Sequence, residues 1–348
     1  GTLVAMIGEL VAAPLLSSLH VPADVLPSAL LYLRIYLLGM PVILLYNFEA
    51  AIFRSVGNTR TPLVVLFASG ILNVVLNLFF VAVLRMTVNG VAIATVLSNA
   101  VSSVLLFRQL RNTQQCIHVE WRALRIDGPT LWRILKIGLP AGIQSAVFAL
   151  SNIVIQSAIN SLGTVVMAAS SAAFNIEVFA YDVLNSFSQA CTTFVGQNYG
   201  AGKLDRCKRI LILSLAEDLI ASAISISLVL LAGRYLLAIF NNDPEVVSLG
   251  YTRLLTVFTA YTFSMLYEVM SGYLRGFGIS LTPAILTTIG VCGVRIGWIH
   301  FMFPQNQTFQ TILIAYPLSL ATTALMIFVA LLCYRPSRRF AALQKSES

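Results

Sequence analysis

The chain has 348 residues, 58% of them hydrophobic and only 10% charged, and a net charge of +8. A soluble domain carries about 25% charged residues, so this composition excludes a water-facing globule. The basic residues lie in short segments between apolar runs, so they report membrane topology, not a nucleic-acid partner.

Ten long apolar runs follow one another, at about 1–19, 27–53, 62–84, 90–107, 134–158, 163–190, 209–232, 246–272, 283–303 and 309–333. Most reach the ~20 residues that a helix needs to cross ~30 Å of hydrocarbon. A helix satisfies its own backbone bonds, as lipid demands. Turn residues mark the gaps, at Pro22 and Pro27, Asn58 to Pro62, Asn89-Gly90, Leu162-Gly163, Asn241 to Pro244, and Pro304 to Asn306. The runs are too long for strands and lack period-two alternation. The predicted fold class is an all-α polytopic membrane protein.

Loop charges set orientation. One side carries Arg54 and Arg60, then the group from Arg108 to Lys136, then Lys203 to Arg209, then Arg275, then Arg335, Arg338, Arg339 and Lys345. The other side carries little beyond Arg85, with Asp24, Asp243 and Glu245. The basic side alternates through all ten runs, which places it, and the C-terminus, in the cytoplasm. Cys116, Cys191, Cys207, Cys292 and Cys333 form no C-x-x-C pair and read as small apolar filler. His20, His118 and His300 are too scattered for a metal cluster.

The chain repeats itself. Arg54-Ser-Val-Gly57-Asn-Thr-Arg-Thr61-Pro62 and Arg275-Gly-Phe-Gly278-Ile-Ser-Leu-Thr282-Pro283 both read R-x-x-G-x-x-x-T-P, 221 residues apart. At the same spacing Tyr46 meets Tyr267, Ala94 meets Ala315, Ser98 meets Ser319 and Ala100 meets Ala321. Tyr32-Leu-Arg34 meets Tyr251-Thr-Arg253 after a two-residue shift. Six helices separate the copies, an even number, which implies a parallel repeat. Two parallel six-helix lobes (6+6) are expected, the first missing about two and a half helices. The expected domains are an N-lobe over 1–110, holding helices 3–6 of a twelve-helix parent, and a C-lobe over 131–335, holding helices 7–12. A basic cytoplasmic inter-lobe loop over 111–130 joins them, and a cytoplasmic tail follows over 336–348.

The repeated R-x-x-G-x-x-x-T-P, the run Ile137-Gly138-Leu139-Pro140, and the run Phe194-Val195-Gly196-Gln197-Asn198-Tyr199-Gly200-Ala201-Gly202-Lys203 together resemble the multidrug and toxic compound extrusion (MATE) family. Ile176-Glu177 and the second of those runs are similar to its bacterial branch related to DNA-damage-inducible protein F. The resemblance implies a multi-pass efflux transporter of the bacterial plasma membrane. Such a protein exports organic, often cationic, compounds against H⁺ or Na⁺ by alternating access. It implies no cofactor beyond the coupling ion, no partners beyond small organic substrates and the bilayer, and a monomer. Alternatives are a lipid-linked precursor flippase of the same superfamily and a non-transporting membrane subunit. The major facilitator superfamily also has 6+6 parallel repeats, but the motifs favour the MATE family. An enzyme is not expected, for the chain shows no nucleophile–base pair, metal set or nucleotide site. Gly196 to Lys203 has the wrong spacing for a phosphate loop and reads as a cytoplasmic helix-connecting loop.

Charges at membrane depth cost ~2.5 kcal/mol or more, so each is a functional candidate. Glu177, Asp182 and Arg295 are expected to face the interior of the second lobe. A carboxylate there can take H⁺ or Na⁺ from one side and release it to the other. Glu268 lies near an inner helix end, where it could snorkel, and two turns before Arg275 on roughly the same face. Glu49 is a weaker candidate, and at most one of the adjacent Glu217 and Asp218 should point inward. Arg34 and Arg253 read as interface anchors. Among polar residues, Gln144, Asn152 and Asn175 are candidates in the second lobe and Asn47 in the first. Asn73 and Asn77, spaced i, i+4, share one helix face. In many relatives the second position is an Asp that helps form a first-lobe cation site; Asn77 cannot titrate, so weight shifts to the second lobe. Phe148, Phe174, Phe179 and Tyr181 could stack on a flat cation.

Overall fold

The computed structural model describes residues 1–18 and 26–336. The expected turn at Pro22 and the charges Arg338, Arg339 and Lys345 lie outside the described residues. All regular structure among the described residues is helical, and the chain divides into two compact units, Gly1–Ile126 and Asp127–Ser348.

The first unit holds α1 (Thr2–Ser18), α2 (Leu26–Leu38), α3 (Met40–Ser55), α4 (Arg60–Leu78) and α5 (Val88–Asn112). The second holds α6 (Gly128–Asn160), α7 (Thr164–Gly200), α8 (Leu204–Phe240), α9 (Pro244–Gly276), α10 (Leu281–Thr287), α11 (Val294–Phe301) and α12 (Phe309–Tyr334). A π turn, Phe79–Val83, extends α4, and another, Thr288–Gly293, joins α10 to α11. Seven stretches are long and apolar enough to cross a membrane: Arg60–Val83, α5, α6, α7, α8, Leu281–Phe301 and α12. The protein is therefore a multi-pass membrane protein.

Three expected boundaries change. The run 27–53 is two helices, α2 and α3, bent by 48°. Gly39 sits at the joint and Pro41, which has no N–H to donate, opens α3. The connection expected at Gly196 to Lys203 is mostly helix, since α7 continues to Gly200 and leaves only Ala201 to Lys203 between helices. The loop expected over 111–130 is shorter, with α5 reaching Asn112, one 3₁₀ turn at Trp121–Ala123, and α6 starting at Gly128. Asp127 caps α6 by accepting the Thr130 N–H at 3.0 Å, and hydrogen bonds from the Thr130 side chain and backbone hold its carboxyl below the usual range.

α9 does not meet the same test of apolarity although it has 33 residues. The reason is its position. It packs against α7, α8 and α12, and 18 of its residues are buried. A helix surrounded by helices can carry polar groups that lipid would not accept. Small residues line its approach to α7: Cβ atoms added at Gly272 and Gly276 would crowd Ser188 and Val195 of α7. Close helix contact of this kind is how small residues serve membrane bundles.

The repeat is also structural. α4 and α10 start 221 residues apart, at Arg60 and Leu281, and so do α5 and α12, at Val88 and Phe309. Gly57 and Gly278 take matching left-handed conformations, with φ of 80° and 79°. In each, the glycine N–H donates to the arginine carbonyl, Gly57 to Arg54 at 2.9 Å and Gly278 to Arg275 at 2.8 Å. The next N–H reaches back further, Asn58 to Phe53 and Ile279 to Leu274, both at 3.0 Å. This is the Schellman closure of a helix, which favours glycine because a Cβ clashes at positive φ. Gly278→Ala is expected to cost about 1–2 kcal/mol, measured as a lowered unfolding midpoint. The same substitution at exposed, helical Gly138 should have a much smaller effect.

Candidate functional site

The buried positions of α7 recur at helical spacing, with Ala169, Ala173, Ala180, Leu184, Ser188, Cys191 and Val195 among them. Ser170 and Glu177 belong to the same face, so both turn toward the neighbouring helix α9. There Arg253 meets them. Its Nε donates to Glu177 Oε1 at 2.7 Å and its Nη2 to Oε2 at 2.9 Å. Nη1 donates to Ser170 Oγ, and Nη2 also reaches the Tyr316 hydroxyl at 3.4 Å. Both charged side chains are almost fully buried. Two parallel bonds from one guanidinium make this the strongest geometry an ion pair offers.

Arg295 lies nearby on α11. The π turn before it contains Gly290, whose missing side chain lets the backbone lie against Thr323 of α12. Arg295 Nε donates to Ser319 Oγ at 2.9 Å. Its guanidinium lies 4.5 Å from the centre of the Tyr316 ring, and that of Arg253 lies 5.3 Å from the same ring. One aromatic ring therefore serves two cations.

A second carboxylate sits further along α9. Glu268 Oε1 accepts the Tyr181 hydroxyl at 3.0 Å, and its Oε2 lies 3.7 Å from Arg275 Nη2. Arg275 also donates to Ser188 Oγ at 3.0 Å, while Ser188 Oγ donates to the Glu268 carbonyl at 2.7 Å. These groups open onto a cavity of about 540 Å³ inside the second unit. Glu177, Glu268, Arg275 and Arg295 line it, with Gln144 and Asn152 of α6, Asn185 of α7, and the rings of Phe148, Phe174, Tyr181, Tyr261, Tyr267 and Tyr316. The volume falls within the ~300–1,000 Å³ of small-molecule sites.

The structure thus brings together Glu177, Arg295, Glu268 and Gln144, and separates the others. Asp182 is exposed, contrary to expectation. Five residues after Glu177 it stands about 140° round the helix at ~100° per residue, so the two cannot share a face. Glu177 pairs with Arg253, not Arg295, which corrects the reading of Arg253 as an interface anchor. The usable signal was that the run 246–272 holds Arg253 and Glu268 inside its ends, together with small residues such as Gly250, Ala260, Ser264, Ser271 and Gly272, as a helix packed among helices can. Glu268 is buried and does not snorkel. Phe179 and Asn175 are exposed and do not line the cavity.

Asp218 is buried while Glu217 is exposed; Ser222 donates to Asp218 Oδ1 at 2.9 Å, and among the described residues Oδ2 has no partner. In the first unit, Glu49 accepts from Ser103 Oγ at 2.9 Å. Asn73 donates to Ser98 Oγ at 3.3 Å, and Asn77 to Asn73 Oδ1 at 3.0 Å, so the asparagines form a short chain. Asn47 is exposed and, among the described residues, bonds within its own helix, to the Ile43 carbonyl. Arg34 lies 3.4 Å from Glu9 and is half exposed. Among the described residues no group of three or more His, Cys, Asp or Glu could hold a metal ion.

Fold and site together define a multi-pass membrane protein that wraps a polar, charged cavity in helices, the build of a solute transporter. Comparison with known proteins makes this specific. The MatE family matches residues 1–79 and 140–299, and the chain belongs to that family. It is similar to "Probable multidrug resistance protein YoeA" of Bacillus subtilis, 24% identical across 94% of this chain and 73% of the relative. "Probable multidrug resistance protein YpnP" of the same organism is 28% identical across 81% of this chain and 63% of the relative. The chain thus spans about two thirds of the length of these relatives. Its fold also matches the outward-facing structure of a multidrug resistance MATE family transporter, with a TM-score of 0.87 and 20% identity, over 99% of this chain and 76% of that one.

Proposed function

We propose that this protein exports organic compounds, drugs among them, across a bacterial plasma membrane in exchange for H⁺ or Na⁺, with its C-terminal end in the cytoplasm. The observation that carries the reading is the cavity of the second unit, where two buried carboxylates are each held by an arginine. Glu177 is the main coupling group. When its carboxylate takes a proton, the two bonds to Arg253 lose their charge assistance and the pair loosens. When the proton leaves, the pair re-forms. A Na⁺ ion would compete with Arg253 for the same oxygens. Glu268, held by Tyr181 and Arg275, is a second acid on the same cavity wall. Gln144 and Asn152 offer hydrogen bonds to a substrate, and the aromatic rings offer flat apolar surface.

The test is efflux of two organic dyes, cationic ethidium and carboxylate-bearing rhodamine B, from vesicles containing the full chain, with a pH gradient and a Na⁺ gradient imposed separately. Efflux should follow one gradient and stop when that gradient is collapsed. Efflux driven by neither gradient, or no efflux at all, would refute the antiport reading.

A further inference from the structure

We propose that Arg295 makes the cavity of the second unit an anion site, which takes the carboxylate or phosphate of an aromatic organic compound. The proposal deepens the exporter reading and rests on it only for the transport that follows binding. It begins from the balance of charge around the cavity. Glu177 is matched by Arg253 with two short bonds. Glu268 lies beside Arg275. Arg295 is left over: among the described residues no carboxylate lies within ion-pair distance of it. The acids that a cationic substrate would need are already engaged, and the group without a counter-charge is a cation.

The bonding of Arg295 agrees with this. The residue is 7% exposed, yet its guanidinium makes one hydrogen bond among the described residues, from Nε to Ser319. Arginine has five N–H donors in a planar fork that matches a carboxylate or phosphate. A residue kept only to hold helices together would be expected to use that fork on a carboxylate, as Arg253 does. Ser319 and the Tyr316 ring offset part of the cost of burying this cation, but among the described residues no opposite charge offsets the rest. Arg295 borders the cavity, so the fork is open to whatever enters.

The surroundings define the rest of the ligand. Tyr316 fixes the guanidinium from below, at 4.5 Å. Phe148, Tyr261 and Tyr267 supply apolar and aromatic walls. The cavity therefore suits an anionic group attached to a flat ring system, and not an isolated inorganic ion. Arg253 shares the Tyr316 ring, so an anion on Arg295 also lies near the Glu177–Arg253 pair. Its arrival would draw on Arg253 and weaken that arginine's hold on Glu177, which links anion entry to the coupling acid.

The test compares rhodamine B, a flat dye with a free carboxylate, with its ethyl ester, which lacks that charge. Binding is read by fluorescence to the full chain in phosphatidylcholine nanodiscs, without transport. The carboxylate form should bind at least about 10-fold tighter than the ester. Arg295→Gln should weaken rhodamine B by about 10- to 100-fold while leaving the ester within about 2-fold, and Arg295→Lys should recover part of the loss. Equal affinity of the two dyes for the unaltered chain, or equal weakening of both by Arg295→Gln, would overturn the proposal. So would Arg295→Gln and Arg295→Lys both binding like the unaltered chain. A second arm adds phosphatidylglycerol to the nanodiscs. If the lipid lowers rhodamine B affinity in the unaltered chain but not in Arg295→Gln, the same site takes a lipid phosphate, which supports the anion site with that source. Lipid without effect supports the soluble carboxylate as the source, provided the dye comparison holds. A chain that binds the dyes as described but exports neither would overturn the exporter reading and leave the site standing.

Discussion

Arg253→Gln is expected to destabilise the second unit by about 3–5 kcal/mol, the cost of leaving one member of a buried ion pair without its partner. Glu177 would then lie at membrane depth without the guanidinium that holds both its oxygens. Glu177→Gln should cost a similar amount, because Arg253 would lose its counter-charge while keeping neutral partners such as Ser170 and Tyr316. The double substitution should restore most of the stability, since a neutral pair of amides carries no uncompensated charge. Coupled efflux should be lost in all three variants. Stability and transport then part company in the double variant, which distinguishes a coupling pair from one that only locks the bundle. Unfolding midpoints in detergent and efflux under an imposed gradient supply the two readouts. A double variant that is stable and still couples efflux to the gradient would confine the pair to a structural role.

Gly272→Val should be the most damaging single change outside the charged residues. A Cβ at this position would stand 2.5 Å from the Ser188 carbonyl oxygen, and 3.0 Å from Thr192 Oγ1. The first is backbone, which cannot swing aside, so α7 and α9 must move apart. Overpacking of this kind costs about 1–3 kcal/mol, occasionally more, and the upper end applies here. The Thr192 hydroxyl also donates to the Gly272 carbonyl at 3.0 Å, and that bond would be strained as well. Glu268 and Arg275 lie on the same segment of α9, so the shift would loosen both from Tyr181 and Ser188. A lowered unfolding midpoint together with weaker dye binding is the expected outcome. A variant as stable as the unaltered chain would show that the two helices are not in close contact at Gly272.

Much of the fold was legible in the sequence, for reasons particular to membranes. Lipid demands long apolar helices, so the spans stand out. The glycines at 57 and 278 must adopt positive φ to close their helices, so the motif that contains them repeats visibly. The joint at Gly39 was harder to see, because the residues on both sides of it are apolar. In the site, burial of Glu177 and Arg295 followed from their depth in the spans, whereas Glu268, near a helix end, could have reached water and is buried by the packing of α7 on α9. Their pairing did not. Glu177 had two arginines within reach of a plausible drawing, and only the packing of α7 against α9 decides for Arg253. The exposure of Asp182 could have been read from helix geometry alone, since five residues carry a side chain well away from the starting face.

The bend between α2 and α3 has a consequence of its own. The corresponding stretch of the second copy is α9, one unbroken rod that carries Arg253, Glu268 and Arg275 at fixed separations. Rigidity matters there, because each of these groups must meet a partner on α7 within a few tenths of an ångström. The first copy divides its charges across the joint, with Arg34 half exposed beside Glu9 on α2 and Glu49 and Arg54 on α3. Two descendants of one ancestral helix have thus drifted toward different mechanical roles. One became a ruler that sets distances between charges, and the other an elbow, whose two arms carry their charges to separate partners, Arg34 to Glu9 and Glu49 to Ser103.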